Sequence, residues 1–82
     1  MTRDEIRNAV IQALSSIAPE FDPRNLPPDA VLRQELDLDS MDFLNFMIGL
    51  HDSVGINVPE QDYAKLSTLN GAVDYLATRL TA

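Results

Sequence analysis

Residues 36–55 read LDLDSMDFLNFMIGLHDSVG, and this stretch decides the fold because an acidic loop gives way to an apolar run. The apolar residues recur at helical spacing, and Gly55 suits the end of a helix. Either Ser40 or Asp39 could cap the start of that helix. With Asp39 as the cap, Asp42 takes the capping-box position, and Ser40 becomes the first helical residue with its hydroxyl free.

The apolar side chains of this helix form two arcs when the residues are placed about 100° apart on a wheel. The first arc is broad enough to face a core, and it consists of Phe43, Phe46, Met47, Leu50 and Val54. The second arc consists of Met41, Leu44 and Ile48. The preceding loop could cover the second arc, or the arc could stay exposed as a docking stripe. We favour exposure because the arc begins beside Ser40.

The chain before this helix predicts one more helix and a long loop. Thr2 and Glu5 match a capping box, and Pro19 ends the helix that follows them. Four prolines exclude a continuous helix over residues 18–38, although this segment has room for a short helical turn at residues 30–34. The apolar residues expected to pin this loop are Phe21, Leu26, Val31, Leu32 and Leu36.

The chain after Gly55 predicts a short helix and a final helix. Pro59 begins the short helix, which runs to about Lys65. Ser67 or Thr68 caps the last helix, whose apolar face is formed by Leu69, Ala72, Val73, Leu76 and Leu80. The predicted fold is a small all-α four-helix bundle, with three main helices, one short helix and a long first loop. Residues 1–82 are expected to form a single domain.

The composition narrows the class of partner. The 82 residues contain no cysteine and carry a net charge of −7, from six Lys and Arg against thirteen Asp and Glu. Residues 34–64 contain neither Lys nor Arg, so this surface repels nucleic acid and favours proteins with basic patches as partners. No secretory signal is visible, and no apolar run reaches the ~20 residues that span a membrane. We expect a cytoplasmic protein that does not insert into membranes.

Two chemistries at Ser40 can be set aside. Residues 37–48 begin like a calcium-binding loop, but they lack its central glycine and its final glutamate. A hydrolase nucleophile needs a nearby base, and the only histidine, His51, lies eleven residues along the helix. That separation is about 16 Å on a straight helix, which is too far for a nucleophile and its base. A covalently attached phosphate would instead suit the positive end of the helix dipole.

Residues 36–42, LDLDSMD, resemble the phosphopantetheine-attachment motif of acyl carrier proteins. Residues 54–59, VGINVP, and residues 68–76, TLNGAVDYL, follow in the order that this family shows. The resemblance implies that Ser40 receives phosphopantetheine from coenzyme A through a separate transferase. It also implies that Asp39 engages the transferase and its magnesium, and that the chain is a carrier rather than an enzyme.

The same resemblance implies two sets of binding residues in a monomeric acyl-carrier domain. The docking surface for acyl-loading and acyl-transfer enzymes would comprise Met41, Asp42, Leu44, Asn45, Ile48, His51 and Asp52. The acyl pocket would comprise Phe43, Phe46, Leu50, Val58, Tyr63 and Leu66. The cargo would go to enzymes of fatty-acid, lipid or polyketide biosynthesis. The docking helix has fewer acids and the pocket bulkier side chains than is usual for the family, which suggests a specialised member.

Two alternatives to an acyl carrier remain at this point. A stand-alone peptidyl or aminoacyl carrier would share the arm but would be loaded by an adenylating enzyme. A helical adaptor without an arm would use Ser40 only as a cap and the second arc as its binding surface.

Overall fold

The computed structural model describes residues 2–80, so the predicted domain of residues 1–82 extends past the described part at both ends. The elements in chain order are helix α1 (Arg3–Ile17), a 3₁₀ turn (Pro23–Asn25), helix α2 (Leu32–Glu35), helix α3 (Ser40–Val54), a 3₁₀ helix (Glu60–Leu66) and helix α4 (Leu69–Leu80). The predicted all-α class is confirmed. The three main helices are α1, α3 and α4, and the predicted short helix is the 3₁₀ helix.

Helix α1 begins at the predicted capping box. The Thr2 hydroxyl accepts a hydrogen bond from the Glu5 backbone N–H at 3.2 Å, and the Glu5 carboxylate accepts one from the Thr2 N–H at 2.9 Å. The hydrogen bond from the Thr2 backbone lowers the pKa of the Glu5 carboxyl. The helix ends at Ile17, two residues before Pro19, as the proline predicted.

Helix α3 has the predicted bounds. Its C-cap, Gly55, has a φ of 73°, in the left-handed region that favours glycine. The Gly55 N–H donates to the His51 carbonyl at 2.8 Å and so satisfies one of the last helical carbonyls.

The core forms where α1 packs against α3 and α4. The fully buried large side chains are Phe46, Ile6, Leu14, Leu32, Leu50, Leu66, Leu69, Leu76 and Val10. Gly49 is placed on the polar side of α3 by the helical wheel, but a Cβ atom there would lie 3.5 Å from the Ala13 Cβ of α1. The polar assignment of Gly49 is therefore wrong, because α1 packs past the edge of the predicted core arc.

The long loop is held in place by both side chains and backbone. Of the five predicted pins, Leu26 and Leu32 are buried, while Phe21 and Leu36 are half-buried. The fifth, Val31, is 39% exposed, so its side chain is not a pin. Its backbone instead pairs with Thr68 in an isolated antiparallel bridge.

Further contacts tie this loop to the start of α4. The Leu32 N–H donates to the Ser67 carbonyl at 2.8 Å, and the Asn70 side chain donates to the Asp29 carboxylate at 2.8 Å. Leu38 is buried, although it was not among the predicted pins. The loop is therefore part of the packed structure and brings α2 close to the start of α3.

The short helix differs from its prediction in type and in its last residue. It is a 3₁₀ helix with Pro59 as its N-cap, and it ends at Leu66 rather than at Lys65. The cap of α4 is Thr68, whose hydroxyl accepts from the Gly71 N–H at 2.9 Å. Of the two predicted caps, Thr68 is therefore correct and Ser67 is not.

Candidate functional site

Ser40 is the first residue of α3 and does not cap it. The Asp39 carboxylate accepts from the Asp42 N–H at 2.8 Å, and the Asp42 carboxylate accepts from the Asp39 N–H at 3.4 Å. These reciprocal bonds form the capping box that the sequence predicted, so the Ser40 hydroxyl is not needed to satisfy the helix terminus. Ser40 is exposed to solvent, as an attachment residue must be.

The Ser40 hydroxyl does have one neighbour, which corrects the prediction of a free side chain. Arg33 on α2 donates from Nη2 to the Ser40 Oγ at 3.4 Å. This bond is long for an N–H···O contact, and both residues are exposed, so it holds the hydroxyl only weakly. The sequence pattern did not identify Arg33 as a site residue. One feature of the sequence could have identified it: Arg33 is the last cation before residues 34–64, which contain neither Lys nor Arg.

The second arc lies on the surface beside Ser40. Met41 is 63% exposed, Leu44 is 38% exposed and Ile48 is 50% exposed. The long loop therefore does not cover the arc, and the prediction of an exposed stripe is confirmed. Of the other predicted docking residues, Asn45, His51 and Asp52 are exposed and Asp42 is half-buried.

A cleft of about 410 Å³ opens between α3 and the 3₁₀ helix, next to Ser40. Its lining residues are Arg33, Ser40, Phe43, Leu44, Glu60 and Tyr63. The Phe43 ring meets the Tyr63 ring edge-on, with centroids 6.0 Å apart, and the Phe46 ring at 5.8 Å. Aromatic side chains thus form the apolar wall of this space, which we call the serine cleft.

The six predicted pocket residues do not all reach open space. Phe43 and Tyr63 line the serine cleft, and Tyr63 also joins Val58 in a neighbouring cavity of about 160 Å³. Phe46, Leu50 and Leu66 are fully buried and belong to the packed core.

A second space, the acidic cavity, lies on the other side of the first turn of α3. It has a volume of about 550 Å³, and its lining residues are Ile17, Ala18, Pro19, Glu20, Phe21, Glu35, Leu36, Asp37, Leu38 and Asp42. Four carboxylates and six uncharged residues line it, and no Lys or Arg does. Asp37 has a φ of 52°, so its backbone is in the left-handed region.

Residues 2–80 contain neither a metal-binding cluster nor a membrane-spanning helix. No group of three or more His, Asp or Glu side chains in that range is arranged to hold a metal ion. None of the helices described there combines the length and the apolar composition needed to cross a membrane.

The chain matches a known protein family over most of its length. Residues 8–76 match the family model described as the phosphopantetheine attachment site. The match spans the end of α1 that leads into the loop, all of α3 and most of α4, and it includes Ser40. The small helical fold and this match define a carrier domain whose prosthetic group is phosphopantetheine.

Individual relatives then define the family. The chain is 30% identical to the acyl carrier protein of Rubrobacter xylanophilus over the full length of both. It is 33% identical to the acyl carrier protein of Lactobacillus johnsonii, over 93% of this chain and 94% of that one. It is 25% identical to a mitochondrial acyl carrier protein of Neurospora crassa, over 96% of this chain and 59% of that one. The chain belongs to the acyl carrier protein family.

Proposed function

We propose that the chain carries acyl groups as thioesters on a phosphopantetheine arm that is attached to Ser40. The observation that carries this proposal is the position of Ser40. It opens a helix that Asp39 and Asp42 already cap, it is exposed, and it lies beside the exposed second arc. The family match supports the identity of the arm.

The attachment step is a phosphoryl transfer from coenzyme A. The Ser40 Oγ attacks the phosphorus that bears pantetheine, and a new O–P bond forms. The diphosphate bond of coenzyme A breaks, adenosine 3′,5′-bisphosphate leaves, and the hydroxyl proton passes to a base of the transferase. Catalysis belongs to this separate enzyme and its magnesium, so the chain is a substrate. We propose that Asp39, which is exposed directly before Ser40, helps to engage that ion.

The partners that we propose are enzymes with a basic patch around an apolar depression. The second arc supplies the apolar contact, and Asp42 and Asp52 supply negative charge on the same helix. The chain would act as a monomer in the cytoplasm and deliver its cargo to fatty-acid, lipid or polyketide biosynthesis. The full-length similarity to bacterial acyl carrier proteins supports this assignment.

The aromatic side chains at the serine cleft suggest a specialised cargo. Phe43 and Tyr63 line the space between α3 and the 3₁₀ helix with their rings edge-on and 6.0 Å apart, so a long straight acyl chain that passes between them would have to displace them. We propose that the carrier prefers short or unusual acyl groups. Comparing the loading rates of short-chain and long-chain acyl groups tests this preference, and faster loading of long chains would contradict it.

The attachment is tested by mass spectrometry of the intact protein. Incubation with coenzyme A, magnesium and a broad-specificity phosphopantetheinyl transferase should add one phosphopantetheine group. Ser40→Ala should abolish the gain, whereas Ser53→Ala, which alters an exposed serine at the other end of α3, should leave it unchanged. An unmodified wild-type protein, or full modification of Ser40→Ala, would refute the proposal and favour an adaptor.

A further inference from the structure

The first turn of α3 separates two spaces of opposite electrostatic character. The acidic cavity is lined by the carboxylates of Glu20, Glu35, Asp37 and Asp42. The serine cleft holds one cation, Arg33, and one carboxylate, Glu60. Because the acidic cavity contains no compensating cation, an anion attached to Ser40 is repelled from that side. Of the residues that line the two spaces, Arg33 in the serine cleft is the one with a positive charge.

Arg33 differs from most of the other arginines because no carboxylate within residues 2–80 is paired with it. Arg3, Arg24 and Arg79 each form an ion pair with an aspartate, at 2.6, 3.2 and 3.2 Å respectively. Within residues 2–80, Arg33 forms no ion pair of 4 Å or less, and its side chain is instead directed to the Ser40 Oγ. Its guanidinium is therefore available to an incoming anion at the one atom where the proposed arm is attached.

We propose that Arg33 binds the phosphodiester of the prosthetic group and directs the arm into the serine cleft. This inference rests on the proposed attachment at Ser40. The phosphodiester keeps one negative charge at neutral pH, and its phosphorus is bonded directly to the Oγ that Arg33 already contacts. The long contact between the charged guanidinium and a neutral hydroxyl is thereby replaced by a hydrogen bond between two opposite charges, which is shorter and stronger. A guanidinium also presents two parallel donors that match phosphate oxygens.

Glu60 limits the position of the phosphodiester within the cleft, because the two negative charges repel each other. This carboxylate lines the same cleft from the 3₁₀ helix, so the phosphodiester is favoured on the α2 side, next to Arg33. The pantetheine part of the arm can then extend along Phe43, Leu44 and Tyr63, which form the apolar part of the cleft. Arg33 is a positioning residue, since it orients the arm and takes no part in thioester chemistry.

Phosphorus-31 NMR of the modified protein tests the proposal. In the wild type, the phosphodiester resonance should be displaced from its position in the urea-unfolded modified protein. Arg33→Ala should reduce this displacement by about half or more, because the charge-assisted contact is lost. Arg33→Lys should restore part of it, since a lysine keeps the charge without the two parallel donors. Arg7→Ala, which removes the same charge from an exposed position on α1, should leave the displacement unchanged.

Amide shifts of the cleft residues provide a second measurement. Modification of the wild type should shift the amide resonances of Leu44 and Tyr63, and in Arg33→Ala these shifts should fall by about half or more as the arm leaves the cleft. Circular dichroism of each variant checks that the helices are retained. Equal phosphorus displacement and equal amide shifts in wild type and Arg33→Ala would overturn the proposal.

The design separates this inference from the proposed function. If the wild type gains no mass with the transferase, the attachment at Ser40 is wrong and both proposals fail. If the wild type and Arg33→Ala are both modified but give the same spectra, only the role of Arg33 is wrong.

Discussion

At the scale of single residues, two aspartates cap the start of α3, and Ser40 takes no part in the cap. Asp39 and Asp42 satisfy each other's backbone N–H groups, while Ser40 makes only a long contact with Arg33. A helix terminus has four unpaired N–H groups, and an aspartate at the N-cap satisfies one of them while placing negative charge at the positive end of the dipole. The Ser40 hydroxyl can therefore be modified covalently without loss of the hydrogen bonds that cap the helix.

Replacing the cap and the serine should have different effects on stability. Asp39→Ala should lower the free energy of unfolding by about 1 kcal/mol, the usual cost of losing an N-cap. Ser40→Ala should change it by less than about 0.5 kcal/mol, because an exposed long hydrogen bond contributes little. Urea unfolding of the unmodified proteins measures both values. If Ser40→Ala costs as much as Asp39→Ala, the serine is part of the cap.

At the scale of elements, the junction between the 3₁₀ helix and α4 depends on a glycine. A Cβ atom at Gly71 would lie 2.6 Å from the Lys65 carbonyl oxygen and 3.0 Å from the Thr68 Oγ1. The glycine lets α4 begin directly against the end of the 3₁₀ helix while Thr68 caps it. Helix propensity alone disfavours glycine in a helix, so the close approach explains why glycine occupies this position.

Replacing a helical glycine with alanine should therefore have opposite effects on stability at two positions. Gly71→Ala should destabilise the protein by about 1–3 kcal/mol, since the new methyl group collides with backbone. Gly49→Ala should stabilise it by up to about 1 kcal/mol, because a Cβ there makes only ordinary contact and alanine favours helix. Urea unfolding measures both. Stabilisation by Gly71→Ala would show that the junction relaxes without cost.

The same junction is held by a polar cluster on its outer side. The Tyr75 hydroxyl donates to the Asp62 carboxylate at 2.7 Å, and Arg79 donates to the same carboxylate at 3.2 Å. Lys65 lies 3.5 Å from the other Asp62 oxygen. The bond from Tyr75, with smaller contributions from Lys65 and Arg79, lowers the pKa of Asp62 despite its partial burial. The cluster fastens the 3₁₀ helix to α4.

Stability should depend on pH through Asp62. Its pKa is lower in the folded chain than in the unfolded chain, so its ionised form stabilises the fold. This contribution is complete above the unfolded pKa of about 3.9 and is lost as the pH falls through the folded value. The difference in unfolding free energy between wild type and Asp62→Asn should thus be largest near neutral pH and shrink in acid.

Urea unfolding between neutral pH and pH ~3, which brackets the unfolded pKa, measures this difference. Tyr75→Phe removes the main cause of the lowered pKa, so it should weaken the pH dependence while keeping the ring. A difference between wild type and Asp62→Asn that does not vary with pH would contradict the role of the cluster.

At the scale of the whole molecule, α3 divides its apolar residues between two environments. Phe46 and Leu50 are fully buried against the rest of the bundle, whereas Ile48 is 50% exposed on the other side of the same helix. An 82-residue chain has only a small core, and it does not bury both arcs of one helix. The surplus apolar surface is consistent with a face that binds partner enzymes.

Truncations on the two arcs should separate stability from partner binding. Leu50→Ala should lower the free energy of unfolding by about 2–5 kcal/mol, as expected for a large-to-small change in a core. Ile48→Ala should lower it by less than about 1 kcal/mol, but should raise the KM of a partner enzyme for the loaded carrier about three- to tenfold. Urea unfolding and steady-state kinetics of acyl transfer provide the measurements. Unchanged kinetics in Ile48→Ala would remove the second arc from the docking surface.

The positions of the helices could be predicted because their signals are local. Thr2 with Glu5, Asp39 with Asp42, and Gly55 each act on backbone groups within a few residues, so the sequence by itself determined where α1 and α3 begin and where α3 ends. The family motif around Ser40 is equally local. The 3₁₀ type of the short helix was not predicted, because 3₁₀ runs longer than about four residues are uncommon and this one has 7 residues.

Contacts between distant residues were decided only by the tertiary structure. The burial of Leu38 and the contact of Gly71 with the Lys65 carbonyl depend on how the elements pack, and so does the choice between a covered and an exposed second arc, which the sequence left open. The approach of Arg33 to Ser40 likewise requires the loop to be tied to α4 through backbone bonds such as that from Leu32 to Ser67. Helical spacing orders residues around one axis, but it carries no information about which neighbouring element covers each face.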